Sequence, residues 1–222
     1  MTTPAATLLK MLQMALGAVF ALGSLPASAQ LAWKTHNIQG IVRISVPEHW
    51  AVSDLDSRKN VAAYGGALVG EKDAHVAALA VTSKPFPSGA IIRVSIIREA
   101  DAGTQAEIIA EVKANPVQAR QDLEAVANEM INKMRTAFAK AGGRVIGGPK
   151  VKLVAIDKKL ALMIQYRRIS PDQPNDIYLV TQYHVPMGNI KPLITLSHRE
   201  RDGLLWKGIL SEVFKSVEIS PR

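Results

Sequence analysis

The hydrophobic pattern of the chain changes period three times, and this order limits the possible folds. Residues 40–46 alternate between two sides, as a strand with one buried face does. Between residues 104 and 141 apolar residues recur every three or four positions, which is typical of helices. Alternating runs then return, and helical spacing closes the chain over residues 203–217. This order, which is strands, then helices, then meandering strands and a last helix, predicts an α+β domain. Its sheet is expected to be largely antiparallel, with helices packed on it.

Capping residues mark the starts of two helices. Thr104 and Glu107 have the spacing of a capping box, which predicts a helix over residues 105–113. Asn115, followed by a proline, fits an N-cap and first helical position, so a second helix is expected over residues 116–141. The predicted apolar stripe of this second helix consists of Leu123, Val126, Ala127, Met130, Met134, Ala137 and Ala141.

The remaining segments are interpreted as strands and turns. Residues 54–60 are polar except for Leu55 and are predicted to form a surface turn. Residues 61–69, which contain Gly65 and Gly66, receive no assignment. Asp157-Lys158-Lys159 predicts a hairpin turn. Strands are expected over residues 31–36, 40–46, 75–82, 90–98, 144–146, 151–156, 160–166, 176–185 and 190–198.

The first 29 residues have the features of a secretory signal peptide. Lys10 is their only charge, residues 11–22 are apolar, and small residues precede a cleavage site between Ala29 and Gln30. An uncleaved anchor is the alternative, but the apolar run is shorter than the ~20 residues that a spanning helix needs. We therefore expect one α+β domain over residues 30–222, without a transmembrane segment, in the periplasm or outside the cell.

Composition narrows the possible chemistry. The chain has no cysteine, which excludes disulfides, thiol catalysis, thiolate zinc sites and iron–sulfur clusters. The formal net charge is +8, and it falls to +7 once Lys10 is removed with the leader. Such a charge suits nucleic acid, anionic lipid or an acidic partner. Because the basic residues are scattered and not interleaved with aromatics, no nucleic-acid partner is expected.

One group of basic residues is a candidate patch for an anion or an acidic partner. Lys150 and Lys152 share one face of a predicted strand, and Lys158 and Lys159 lie in the hairpin turn. If the hairpin registers around that turn, Arg167 comes beside Lys150. The alternative, which we favour here, is a solvated sheet edge whose lysines discourage strand-to-strand aggregation.

Motifs for catalysis or for a cofactor are not found. His198 and Glu200 are the nearest approach to a metal pair, and a solvated turn is the preferred interpretation. The sequence has no Gly-x-Ser-x-Gly elbow, and the glycines at 65, 66 and 70 lack the lysine and hydroxyl residue of a phosphate loop. No catalytic residue, cofactor or metal ligand is therefore predicted.

Two short segments resemble a known family. Residues 44–50 read ISVPEHW and residues 209–219 read ILSEVFKSVEI. They are similar to phrases of the PsbP-like superfamily, of the form "sIPegW" early in the domain and "il.SF.i" at its end. The resemblance spans residues 31–219. Two positions depart from it, since His49 replaces a small turn residue and Val217 stands where the family favours phenylalanine.

This resemblance implies an α/β/α sandwich in which the motif residues are structural. Pro47 and Trp50 are expected to end a strand and fill the core, and Ser216 to lie at the end of the last helix. Members include photosystem II extrinsic and assembly factors, a nuclear Ran-binding protein, and bacterial envelope proteins or secretion chaperones. Most are similar in being non-catalytic and in acting by docking on a partner.

Three functional hypotheses follow. The leading one is an exported, non-enzymatic periplasmic domain that binds a protein partner or assists assembly of the envelope. The second is a small-molecule or lipid-binding protein, in which residues 61–69 and the methionine-bearing helix 116–141 line a pocket. The third is an unrecognised hydrolase.

Overall fold

The computed structural model describes residues 31–69, 76–84, 89–98, 103–140 and 142–220. Its strands are β1 (Trp33–Ile38), β2 (Val42–Pro47), β3 (Ala51–Val52), β4 (Leu79–Thr82), β5 (Ala90–Arg98), β6 (Arg144–Ile156), β7 (Lys159–Ser170), β8 (Gln173–His184), β9 (Ile190–Arg199) and β10 (Glu218–Ile219). Its helices are α1 (Leu55–Val69), α2 (Gln105–Ala114), α3 (Pro116–Lys140) and α4 (Gly203–Lys215), with a short 3₁₀ turn, Glu200–Asp202, before α4.

The strands form two sheets that are antiparallel throughout. The large sheet has seven strands in the order β3-β4-β5-β9-β8-β7-β6, and the small sheet has the order β1-β2-β10. The α+β prediction with a largely antiparallel sheet is therefore confirmed. The order β9-β8-β7-β6 is the meander that the alternating runs in the second half of the chain predict.

The large sheet is the middle layer, because its alternating side chains feed two separate cores. One face, called the α4 face below, packs against α4 and the small sheet. The core between these elements is called the main core, and its fully buried residues include Ile44, Val81, Ile92, Ile194 and Val213. The opposite face, called the α3 face, packs against α3. That second core contains Ala127, Ile131, Ile164, Tyr166 and Val180.

The two motif segments meet in the main core. Pro47 is the last residue of β2, and Trp50 is buried with its ring edge-on to Trp206 of α4, at a centroid distance of 5.6 Å. Ser216 follows α4, and its Oγ accepts a hydrogen bond from the backbone N–H of Ser45 at 2.9 Å. The expected structural roles of Pro47, Trp50 and Ser216 are thus confirmed.

Both capped helices form. The backbone N–H of Glu107 donates to Thr104 Oγ1 at 3.2 Å, and the Thr104 N–H donates to Glu107 Oε2 at 2.7 Å, so the capping box is present. The Asn115 side chain accepts a hydrogen bond from the Gln118 N–H at 3.1 Å and begins α3. The helix is described to Lys140, and the predicted last residue, 141, lies outside the described residues.

The predicted surface turn over residues 54–60 is wrong, because these residues start α1. Asp54 accepts a hydrogen bond from the Ser57 backbone N–H at 2.7 Å, in the manner of an N-cap. No residue of 55–63 is buried, so this part of the helix has no apolar stripe from which a helix could be predicted.

The predicted apolar stripe of α3 is also partly wrong. Val126 is 58% exposed, whereas Ile131, which the stripe omitted, is 1% exposed.

Several strand boundaries also differ from the predictions, most clearly those of β6 and β4. The separate strands expected over 144–146 and 151–156 are one strand, β6. Both parts pair with β7, and the register shifts between Ile146 and Lys150. Gly147 sits in this irregularity with φ of +67°, a conformation that glycine adopts without strain. The strand expected from residue 75 begins at Leu79, and residue 75 itself lies outside the described residues.

Candidate functional site

The predicted hairpin turn places two of the candidate lysines. Asp157 and Lys158 both have positive φ, and Ile156 pairs with Lys159, as in a two-residue type I′ hairpin. Asp157 Oδ2 also accepts a hydrogen bond from the Ile219 N–H at 2.8 Å, which ties the turn to the last strand. Lys158 is exposed at the tip, and Lys159 is partly buried as the first residue of β7.

Lys150 and Lys152 are exposed on the α4-face side of β6, which is the edge strand of the large sheet. The register places Gln165 opposite Lys150, so the expectation that Arg167 comes beside Lys150 is wrong. The two-residue turn sets this register, and Arg167, which lies beyond the irregularity before Lys150, faces Ile146. Arg167 is also paired with Glu200 at 2.5 Å. The exposed pair Lys150 and Lys152 is named the β6 lysines below.

The candidate metal pair is not assembled. His198 is 6% exposed, and its Nδ1 lies 2.9 Å from the backbone oxygen of Arg199. Glu200 is occupied by Arg167. The solvated turn that we preferred is wrong for His198 and Arg199, because the end of β9 is covered where the 3₁₀ turn and α4 follow. Within the described part of the chain, no group of three His, Asp or Glu side chains could hold a metal ion.

An ion-pair cluster at the end of β9 was not anticipated from the sequence. The Arg199 side chain is 8% exposed and contacts Asp202 at 2.8 Å and Asp176 at 3.5 Å. Arg201 reaches the same Asp176 at 3.1 Å from a position that is 63% exposed. The signal in the sequence is an arginine at the end of a largely buried strand, but its partner on β8 is more than twenty residues away.

A second group of cations lies on the α3 face. Arg93 projects from β5, and Tyr166 and Arg168 project from β7. The guanidinium carbon of Arg168 lies 5.3 Å from the ring centroid of Phe138 and 5.5 Å from that of Tyr178. Such contacts let aromatic rings stabilise a cation.

Burial governs the electrostatics of this group. It lowers the pKa of Arg93, and the positive charge of Arg168 lowers it further. Burial also raises the pKa of Tyr166 to about 12, against the opposing influence of Arg168 and Arg93. Tyr166 therefore remains a neutral phenol at physiological pH. The sequence hinted at this group only through Arg93, a single charge in the apolar run AIIRVSII.

Comparisons with known proteins identify the fold. No family model matches the sequence, and no curated protein matches it. The chain is similar to the solution structure of cyanobacterial PsbP (CyanoP) from Synechocystis sp. PCC 6803, with a TM-score of 0.52 and 12% identity over 90% of this chain and 99% of that chain. The chain has the PsbP-like fold.

Two further solved structures align with this chain at lower scores. LpqN, involved in cell envelope biogenesis of Mycobacterium tuberculosis, gives a TM-score of 0.44 with 11% identity over 81% of this chain and 83% of that chain. The Saccharomyces cerevisiae Ran-binding protein Mog1p gives 0.40 with 8% identity over 85% and 96%.

In this PsbP-like fold the two cationic groups occupy opposite faces of the large sheet. The β6 lysines belong to the α4 face at the sheet edge, and Arg93, Tyr166 and Arg168 belong to the α3 face. Among the described residues, no helix has both the length and the apolar character needed to cross a bilayer.

Proposed function

We propose that the protein is an exported, non-enzymatic domain that binds an acidic segment of a protein partner in the periplasm. The observation that supports this function is the placement of the β6 lysines. Both are exposed on one face of an edge strand, and neither has a carboxylate within ion-pair distance in the part of the chain that the structure describes.

The geometry of β6 suits an extended acidic segment. Lys150 and Lys152 are two residues apart on a strand, so their α-carbons are separated by ~7 Å, the spacing of alternate residues in any extended chain. The outer side of β6 pairs with no other strand of the described sheet. A partner segment that adds to this edge gains main-chain hydrogen bonds, and acidic side chains at alternate positions meet the lysines.

The same lysines also oppose a competing association. Two copies of β6 meeting edge to edge would place like charges together, which disfavours self-association. An acidic partner meets no such repulsion. The protective role that we favoured from the sequence is therefore compatible with selective docking, because specificity often combines attraction with repulsion.

We expect that reversing the charge of both β6 lysines weakens binding of the partner by at least roughly tenfold, because close like charges are repulsive. The partner is identified by cross-linking and pull-down from envelope extract, and its affinity is then measured with the Lys150→Glu/Lys152→Glu variant. A Lys140→Glu/Lys207→Glu variant makes the same change of net charge at exposed positions on α3 and α4, and it should bind like the original protein.

Equal affinity for the two double variants would show that β6 is not the docking edge. Recovery of no specific partner, together with turnover in a hydrolase screen, would reject the whole proposal in favour of an enzyme.

We also expect that the protein recovered from its host begins at Gln30. The features of residues 1–29 support this cleavage, and those residues lie outside the described part of the structure. Intact-mass measurement and N-terminal sequencing of the periplasmic fraction test it. An N-terminus at Thr2, or recovery only from the cytoplasm, would contradict export.

A further inference from the structure

Five polar side chains share the α3 face of the large sheet, next to the core that α3 covers. Arg93 of β5 pairs with Thr195 of β9, and Thr195 pairs with Gln182 of β8, so these three form one row across the sheet. Tyr166 and Arg168 lie on the same face of β7. Alternation along each strand thus directs two arginines and a tyrosine into one region of the protein.

Arg93 and Arg168 are partly buried, and the described part of the chain supplies no carboxylate partner for either. A buried arginine is usually paired with a carboxylate, because an uncompensated charge in a protein interior is costly. Neither Arg93 nor Arg168 lies within ion-pair distance of a carboxylate among the residues that the structure describes. Instead, the positive charge of Arg168 acts on Arg93, and both arginines act on Tyr166.

Two carboxylates act on Tyr178, which pairs with Arg168, but neither forms an ion pair with Arg168. Asp176 lies close enough to affect Tyr178, the neighbour of Arg168, but it is shared by Arg199 and Arg201. Asp172, which also affects Tyr178, is an exposed residue of the β7–β8 turn.

Arg168 is stabilised in part by two aromatic rings, Phe138 and Tyr178. No comparable ring contact with Arg93 is present among the described residues. Among the described residues, Arg93 is therefore the less compensated of the two charges.

We propose that Arg93, Arg168 and Tyr166 form a binding site for the carboxylate or phosphate group of a small ligand. The planar guanidinium of Arg93 can donate two parallel hydrogen bonds to such an oxyanion. Arg168 adds a second positive charge, and the neutral Tyr166 donates its O–H.

Gln182 is a further potential contact of this site. Its Oε1 is buried without a hydrogen-bond partner in the described structure. Because the oxygen and nitrogen of an amide are exchanged by a half-turn of the group, the same side chain can present its NH₂ to an anion.

Apolar side chains of α3 lie next to Tyr166 on this face. Met130, Met134 and Phe138 of α3 are partly buried against the core that contains Tyr166. The rest of the ligand would therefore meet flexible thioether and aromatic surface, which adapts to irregular shapes. This arrangement matches the small-molecule alternative in which the methionine-bearing helix lines a pocket, and it is independent of docking at β6.

Thermal unfolding of the protein recovered from expressing cells tests the site with defined anions. Sodium phosphate, sodium acetate and sodium chloride are compared at equal ionic strength. We expect phosphate or acetate to raise Tm by about 3–6 °C at ten times the dissociation constant, while chloride does not. A response to phosphate alone indicates a phosphate-bearing ligand, and a response to acetate indicates a carboxylate. An equal Tm in all three salts would overturn the proposal.

Variants of Arg93 distinguish a ligand site from a structural arginine. Arg93→Met keeps an apolar stem and removes the charge, so we expect an unchanged or higher Tm without anions and loss of the anion-dependent shift. Arg93→Lys keeps the charge but loses the planar guanidinium that donates two parallel hydrogen bonds, and it should weaken anion binding roughly tenfold.

The matched control is Lys152→Met, which makes the same change of net charge on the opposite face and should keep the full anion-dependent shift. An anion-dependent shift that persists in Arg93→Met would overturn the proposal. So would a lower Tm of Arg93→Met in the absence of anions, since that would show a structural role for Arg93.

Discussion

Replacement of Arg199 by alanine is expected to lower the free energy of unfolding by about 3–5 kcal/mol. The Arg199 side chain is almost fully buried between Asp176 and Asp202, whose side chains are 12% and 27% exposed. Removing the guanidinium leaves both carboxylates without this partner in a region of low dielectric, where an unpaired charge is costly. Urea denaturation followed by circular dichroism measures the change.

Arg201→Ala is the matched control for this prediction, because it also removes an arginine from Asp176. The Arg201 side chain is exposed, and exposed ion pairs contribute at most about 1 kcal/mol. Similar losses in Arg199→Ala and Arg201→Ala would show that burial does not determine the contribution of this cluster.

Replacement of Trp50 by alanine is expected to cost about 3–5 kcal/mol. The side chain is buried in the main core and lies edge-on against Trp206, so its loss leaves a large cavity between β2 and α4. Aromatic pairs in this geometry also contribute beyond the area that they bury. The change in free energy is measured by denaturation, and near-ultraviolet circular dichroism reports the loss of the paired indoles.

Trp33→Ala provides the comparison, because Trp33 is 38% exposed at the start of β1. We expect this substitution to cost less than about 1 kcal/mol, as most surface substitutions do. If Trp50→Ala were no more destabilising than Trp33→Ala, the motif tryptophan would not have the core role that the structure assigns to it.

Local signals in the sequence were sufficient for much of the fold. The capping box of Thr104 and Glu107 and the N-cap Asn115 depend only on neighbouring residues, and both helices begin where these residues predict. The alternation of the second half predicted the meander for the same reason. The motif residues Pro47 and Trp50 have the structural roles that the resemblance implied.

Features that depend on solvent exposure or on distant pairing were not predictable. The described side chains of α1 are mostly exposed, so no apolar period distinguishes this helix from a polar turn. The irregularity before Lys150 changes which residue faces Arg167, and only the pairing of β6 with β7 reveals it. The arginine group on the α3 face unites β5 and β7, which are separated by two other strands in the sheet and by two helices in the chain.

The small sheet has a consequence for the timing of folding. Its third strand, β10, is formed by Glu218 and Ile219, and the Ser45–Ser216 hydrogen bond joins residues 171 positions apart. Contacts of such long range form late, since the closure of a long loop must precede any gain from them. The small sheet over the main core therefore remains incomplete until residues 216–219 have left the ribosome. For a chain that we propose to be exported, this delay favours a translocation-competent, unfolded precursor, and folding is completed only after the C-terminal segment has crossed the membrane.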